Sequence, residues 1–196
     1  ILLADGKANE ALAEIIEFGG DFFRVKLLQK ESNNNESARK VILYCSILKR
    51  ENFELVVQKA TEVGVAEIVP LVCEHTVKIG FKKDRLVKII KEAAEQSGRG
   101  VLPVLYEPMD FGQAVKQADQ NDRNFLFDLS GSKLSTSDIN SFKQKTIGIF
   151  IGPEGGWSDF EMDLTGQRDF KIVSLGKLTL RAETAAIVVS YLACQN

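Results

Sequence analysis

Between Val41 and Ile151 short apolar runs alternate with segments whose apolar residues recur at helical spacing, and few architectures accept that alternation. Val41–Leu48 reads as a buried strand. From Asn52 to Val63 the residues Phe53, Val56, Val57, Ala60 and Val63 mark one helical face, with Gly64 placed as a left-handed C-terminal cap. Ala66–Val72 is the next strand, and Leu86, Ile89, Ile90, Ala93 and Ala94 mark a second helix ending near Gly98. The pattern continues with a strand over Val101–Tyr106, a short helix over Phe111–Ala118, and strands over Asn124–Leu129 and Thr146–Ile151. Strands and helices in such succession predict an α/β fold, a mostly parallel sheet covered on both faces, with ligands at the strand carboxyl ends.

The first residues differ in texture. Ala11–Phe18 and Phe22–Leu28 flank Gly19-Gly20-Asp21 and predict a β-hairpin. Lys30–Ser37 is a polar run with no apolar residue to bury, which predicts a linker and a division into residues 1–37 and 38–196. A two-stranded unit is marginal alone. The chain opens on Ile1 rather than Met, so further N-terminal strands completing that sheet are expected.

Composition removes several function classes. With 25 Lys+Arg against 27 Asp+Glu the net charge is -2, so bulk polycation binding is excluded. Three scattered cysteines, Cys45, Cys73 and Cys194, fit a reducing compartment, and a cytoplasmic location is expected. No apolar run approaches the ~20 residues of a membrane-spanning helix, so no membrane partner is expected. His75 is the only histidine, and Cys73 with His75 does not make a metal site, so no metal is expected.

Two segments carry the chemistry. Thr146–Ile151 runs directly into Gly152-Pro153-Glu154-Gly155-Gly156, and Ser158 with Glu161 has the spacing of a capping box for the helix that follows. Such a loop is either a plain tight turn or a place where backbone approaches a ligand closely. It carries Glu154 and no cation, so a triphosphate cradle is excluded. The second segment, Val173–Ala186, reads as a strand, a glycine turn and a final helix. Arg181 and Glu183 near its start are either a solvated ion pair or working groups. Between Thr76 and Lys91 the cations Lys78, Lys82, Lys83, Arg85, Lys88 and Lys91 face Asp84 alone, which is either a solvated helix face or a phosphate-facing patch that Lys49 and Arg50 extend.

Four blocks, Lys59–Val65, Glu92–Arg99, Gly152–Gly156 and Leu175–Ala185, occur in this order. From about Val41 to the end the chain resembles the RsmE-type 16S ribosomal RNA (uracil-N3) methyltransferases of the SPOUT superfamily. The resemblance implies a SPOUT-type parallel sheet whose C-terminal part forms a deep trefoil knot, preceded by a partial N-terminal PUA-like β-barrel. It implies a homodimer that uses S-adenosylmethionine to methylate N3 of a uridine in 16S rRNA or the small ribosomal subunit. The alternatives are a SPOUT enzyme acting on another RNA position and a non-catalytic RNA-binding module.

Carried onto this sequence, the resemblance places Gly152, Pro153, Glu154, Gly155, Gly156, Leu175, Gly176, Leu178 and Leu180 around the cofactor, with Leu129 in a further wall. Backbone groups of Leu175, Leu178 and Leu180 would recognise the adenine. Arg181 or Arg99 would stabilise charge on the uracil carbonyl oxygens and Glu183 would accept the N3 proton. Lys49, Arg50, Lys59, Lys78, Lys82 and Lys83 form the RNA-binding set. The chain departs from the family in having His75 before Thr76, where an Arg is frequent, and Lys177, where Arg is again frequent.

Overall fold

The computed structural model describes residues 1–77, 80–135, 138 and 145–195. Ten strands and five helices are described. In chain order these are β1 (Leu2–Ala4), β2 (Asn9–Phe18), β3 (Phe23–Ser32), β4 (Lys40–Ser46), α1 (Arg50–Val63), β5 (Glu67–Val72), α2 (Lys83–Ser97), β6 (Val104–Leu105), β7 (Met109–Asp110), α3 (Phe111–Ala118), β8 (Arg123–Lys133), β9 (Thr146–Ile151), α4 (Asp159–Gly166), β10 (Phe170–Ser174) and α5 (Ala182–Cys194).

The larger sheet has the order β10-β8-β9-β4-β5-β6, with β7 also on β5, and every pair in it is parallel. Alternation along β4 divides its side chains between two cores. Val41, Leu43 and Cys45 pack with Phe53, Val56 and Ala60 of α1, Leu86 and Ile90 of α2, and Ala186 and Val189 of α5. Ile42 and Tyr44 face the other way, toward Phe111 and Val115 of α3 and Phe150 of β9. Tyr44 stacks on Phe150 with ring centroids 4.2 Å apart. Each fully buried Leu, Ile or Phe contributes roughly 1.5–3 kcal/mol, so covering both faces stabilises the sheet far more than strand propensity does.

The order of strands matters for function. The chain runs from β4 outward through β5 to β6, then returns to the other side of β4, where β9 inserts between β4 and β8. Direction of winding therefore reverses at β4 and β9, and their carboxyl ends open a crevice.

Several expectations are corrected. The N-terminal hairpin is a three-stranded antiparallel sheet, because Leu2–Ala4 pairs with Glu10–Leu12. The strand expected over Val101–Tyr106 shrinks to Val104–Leu105: Pro103 has no N–H to give a ladder, and Val101 makes an isolated bridge to Lys7, between β1 and β2. The strand expected to end at Leu129 continues to Lys133, past a register shift opposite Ile172 and Val173. A Cβ at Gly131 would lie 2.6 Å from the Val173 backbone nitrogen, so only glycine lets the strands close there.

The polar run after β3 is a docked joint rather than a solvated linker. Asn33 is buried and donates to Glu10 Oε1 at 2.5 Å and to the Gly98 carbonyl at 3.0 Å. Glu36 meets Arg99, Ser37 Oγ donates to the Cys194 carbonyl, and Arg39 donates to the Ala193 carbonyl. Polar side chains were read as exposed because nothing in the sequence names their buried partners. Among the described residues no helix is long and apolar enough to cross a membrane.

Candidate functional site

Strand β8 and the segments that follow β4, β5, β9 and β10 enclose one cleft of about 760 Å³. That volume lies within the roughly 300–1,000 Å³ of small-molecule sites. β4 brings Lys49 and Asn52 to it, β8 brings Asp128 and Leu129, β9 brings Gly152 to Gly156, and β10 brings Leu175, Leu178 and Leu180. The two turns singled out in the sequence therefore face each other across one space.

The glycine loop is shaped by Trp157 and His75. A Cβ at Gly152 would lie 2.9 Å from the Trp157 ring, whose Nε1 donates to the Phe127 carbonyl at 3.1 Å. A Cβ at Gly155 would lie 3.0 Å from His75 Cβ, and Gly156 has φ +75°, a region that side chains disfavour. Helix α4 starts directly behind the loop with the expected capping box: Ser158 Oγ accepts from Glu161 N–H, and Glu161 Oε2 accepts from Ser158 N–H. The buried Glu161 also reaches Glu74 N–H through Oε1 at 3.0 Å, which ties the loop after β5 to the loop after β9.

The opposite wall has a different character. None of the backbone groups from Leu175 to Leu180 pairs with another described residue. Gly176, φ +132°, turns the chain without itself lining the cleft, while Leu175, Leu178 and Leu180 do line it. Unpaired peptide groups beside apolar side chains offer both hydrogen bonds and an apolar slot to a flat heteroaromatic ring.

Helix α5 begins in the same cleft. Arg181 is its N-cap residue and Glu183 lies in its first turn; both line the cleft. Glu183 is buried, and its Oε2 has no hydrogen-bond partner. A buried carboxylate oxygen without a partner is costly unless a ligand supplies one.

Arg99, the third residue expected in catalysis, is elsewhere. Its guanidinium is almost wholly buried, donates to the carbonyls of Thr61 and Val65 at 3.0 and 2.8 Å, and is ion-paired with Glu36 at 2.6 Å. Its Nε and Nη2 meet Glu36 and its Nη1 meets both carbonyls, which commits the guanidinium to the joint at the ends of α1 and α2, and it does not line the cleft. Among the described members of the cationic set, Lys49 alone lines the cleft. Arg50 pairs with Glu54, Lys59 with Glu62 and Lys83 with Glu107, while Lys82 is the exposed N-cap residue of α2. Lys78 lies outside the described residues. Asn52, Trp157 and His75 were not anticipated as lining residues. Asn52 lies in the first turn of α1, beyond the end of β4, and that placement is the one signal that pointed to it.

A family model for the RNA methyltransferase domain matches residues 35–193. Ribosomal RNA small subunit methyltransferase E of Mesomycoplasma hyopneumoniae is 35% identical over 171 residues, covering 84% of this chain and 73% of the relative. The chain belongs to the ribosomal RNA small subunit methyltransferase E family. A second member, from Synechocystis, is 35% identical over 170 residues, with 83% of this chain and 55% of that protein covered. Among solved structures, a putative methyltransferase of Legionella pneumophila in complex with the cofactor SAM superposes with a TM-score of 0.89 at 33% identity, over 98% of this chain and 81% of that one. The family's small subunit methyltransferase E from Neisseria gonorrhoeae, bound to S-adenosyl methionine, gives a TM-score of 0.87 at 27% identity, over 97% and 80%.

Proposed function

We propose that this chain transfers a methyl group from S-adenosylmethionine to N3 of a uridine in 16S rRNA of the small ribosomal subunit. The observation that carries the proposal is the convergence of the glycine loop, the unpaired turn Leu175–Leu180 and the partnerless Glu183 oxygen in one cleft. These residues suit the cofactor. The free peptide groups of Leu175, Leu178 and Leu180 match an adenine edge. Glu154 and Glu183, with no cation in the glycine loop, suit a positive sulfonium better than a phosphate.

When bound, the cofactor supplies a methyl group already activated by the positive sulfur, which passes to nitrogen as its bond to sulfur breaks. The chain's own residues prepare the acceptor. Glu183 takes the proton from N3, directly or through water. Negative charge then spreads onto the flanking carbonyl oxygens, and Arg181 donates to one of them from a position fixed by the start of α5. Much of the acceleration comes from holding the base against the methyl group. Lys49 at the mouth of the cleft, with Arg50, Lys59, Lys78, Lys82 and Lys83 beyond it, receives the RNA backbone.

The finer architecture belongs to the same proposal. The C-terminal segment forms a trefoil knot, a reading supported by β9 inserting between β8 and β4 while α5 returns over both β4 and β9. Two copies pair through apolar residues left exposed on and before α5, among them Leu178, Val188 and Tyr191. Residues 1–37 are the later part of a PUA-like barrel, and residues 38–196 the catalytic domain, working in the cytoplasm. Incubating the protein with small subunits and isotope-labelled donor tests the reaction. Label should enter the 16S rRNA with the wild type and fall about 100-fold with Arg181→Ala; full transfer by that variant removes its role.

A further inference from the structure

The sole histidine of the chain, His75, sits in the loop that follows β5, outside the cofactor segments of the sequence. Its Nδ1 lies 3.0 Å from the carbonyl oxygen of Gly156. A carbonyl only accepts, so Nδ1 carries the hydrogen and donates. The loop bearing His75 is itself well fixed. Thr76 Oγ1 accepts from Cys73 N–H at 2.9 Å and shares a hydrogen bond of 2.9 Å with Ser46 Oγ at the end of β4. Glu74 N–H is held by Glu161 from behind the glycine loop.

On the other side of this contact, the glycine loop has few restraints of its own. Gly155 is packed against His75, where an added Cβ would make a tight contact of 3.0 Å with His75 Cβ. Gly156 N–H bonds to the Pro153 carbonyl at 2.9 Å, which closes the turn but does not fix its tilt relative to the cleft. Two adjacent glycines, one at φ +75°, have the largest conformational freedom to lose when the loop takes one shape. Among the described residues, only the bond from His75 joins the outer end of that turn to a side chain of another strand's loop.

We infer that His75 is a positioning residue for cofactor binding: its Nδ1–H holds the Gly155-Gly156 turn in the shape that closes around the adenosyl group. The inference rests on the reading of the cleft as a site for S-adenosylmethionine. Without the hydrogen bond the loop samples other shapes, and apparent affinity falls by the fraction of time it is competent. One neutral hydrogen bond sets the size of the effect, roughly 3- to 10-fold. The reacting groups Arg181 and Glu183 are not touched by His75, so turnover at saturating cofactor is unaffected.

Asparagine and glutamine separate this role from simple bulk. The Asn amide nitrogen sits where Nδ1 sits, two bonds from Cβ, whereas the Gln amide lies one bond further out. Calorimetric titration of the full chain with S-adenosylmethionine is made for the wild type, His75→Asn, His75→Gln and His75→Ala. His75→Asn should bind within about twofold of wild type, while His75→Gln and His75→Ala bind roughly 3- to 10-fold more weakly, with kcat on small subunits retained. Equal affinity of all four, or an Asn variant as weak as the Ala variant, overturns the inference alone. Failure of the wild type to bind overturns the cofactor reading and this inference with it.

Discussion

Arg181 and Glu183 stand at the cleft end of one helix with Nη1 3.9 Å from Oε1, yet the arginine side chain is 82% exposed and the glutamate only 9%. At that separation the pair is loose, and each group is available to a third party. The exposed cation can reach out to a base delivered by RNA, while the buried carboxylate meets what already lies within. Glu183→Gln keeps shape and removes both basicity and the negative charge that faces the sulfonium, so turnover should drop by roughly 100-fold or more and cofactor affinity should fall as well. Single-turnover transfer to small subunits, alongside cofactor titration, checks both halves.

Trp157 is the only tryptophan in the chain, and it lies in the cleft behind Gly152. Its emission should therefore change as S-adenosylmethionine is added, and Trp157→Phe should remove the signal. Gly152→Ala forces a methyl to within 2.9 Å of the indole, displacing the ring from its bond to Phe127. That variant should fold and bind the cofactor at least about tenfold more weakly, read from the same fluorescence titration, since displacing the ring reshapes the wall.

Arg99→Ala should act on stability rather than chemistry. It removes the guanidinium shared by Glu36 and the carbonyls of Thr61 and Val65; Val101 N–H still reaches Glu36 and Gly64 N–H still reaches Thr61, but the ion pair is lost and the Val65 carbonyl is left without its donor in a buried joint. A loss of about 3 kcal/mol is expected, because removing one partner strands the other. Urea denaturation measures it. The folded fraction should bind S-adenosylmethionine as the wild type does.

The joint at Arg99 also marks where sequence reasoning stops. Strands β4 and β9, helices α1 and α2 and the capping box at Ser158 were legible, because periodic burial and local capping are written in neighbouring residues. The glycine loop and the turn before α5 were legible as unusual local sequence, and both line the cleft. Their meeting in one cleft was carried by the family resemblance, since strand order is not encoded locally. Arg99 was misread because a guanidinium near a motif looks the same whether it faces substrate or the ends of two helices. Asn33 and Glu36 were misread as linker for a related reason: their partners, Gly98 and Arg99, lie more than sixty residues away. His75 stood out in the sequence as a departure from the family pattern, but nothing there named its partner, a backbone carbonyl.

The thiols and one phenol set the alkaline limit of the fold. Burial pushes Cys73 and Cys194 from an ordinary 9.0 up to about 12, Cys45 higher still, and Tyr44 from 10.0 up to about 12. The folded chain holds these protons more tightly than the unfolded chain does. Their stabilising contribution is therefore complete below pH 9 and is lost as pH rises from about 9 to 12. Thermal melting at pH 8 and pH 10.5 should show the lower Tm at the higher pH. In the native state at pH 7.5 all three thiols should resist a disulfide reagent that modifies them readily in urea.

The central claim concerns which atom of the RNA receives the methyl group. Mass spectrometry of nucleosides from 16S rRNA, after incubation of small subunits with the protein and isotope-labelled S-adenosylmethionine, reads that atom directly. The account predicts label in 3-methyluridine, reduced by roughly 100-fold or more in reactions with Glu183→Gln. Label in a ribose-methylated nucleoside or another base, or no labelled nucleoside at all, would contradict it.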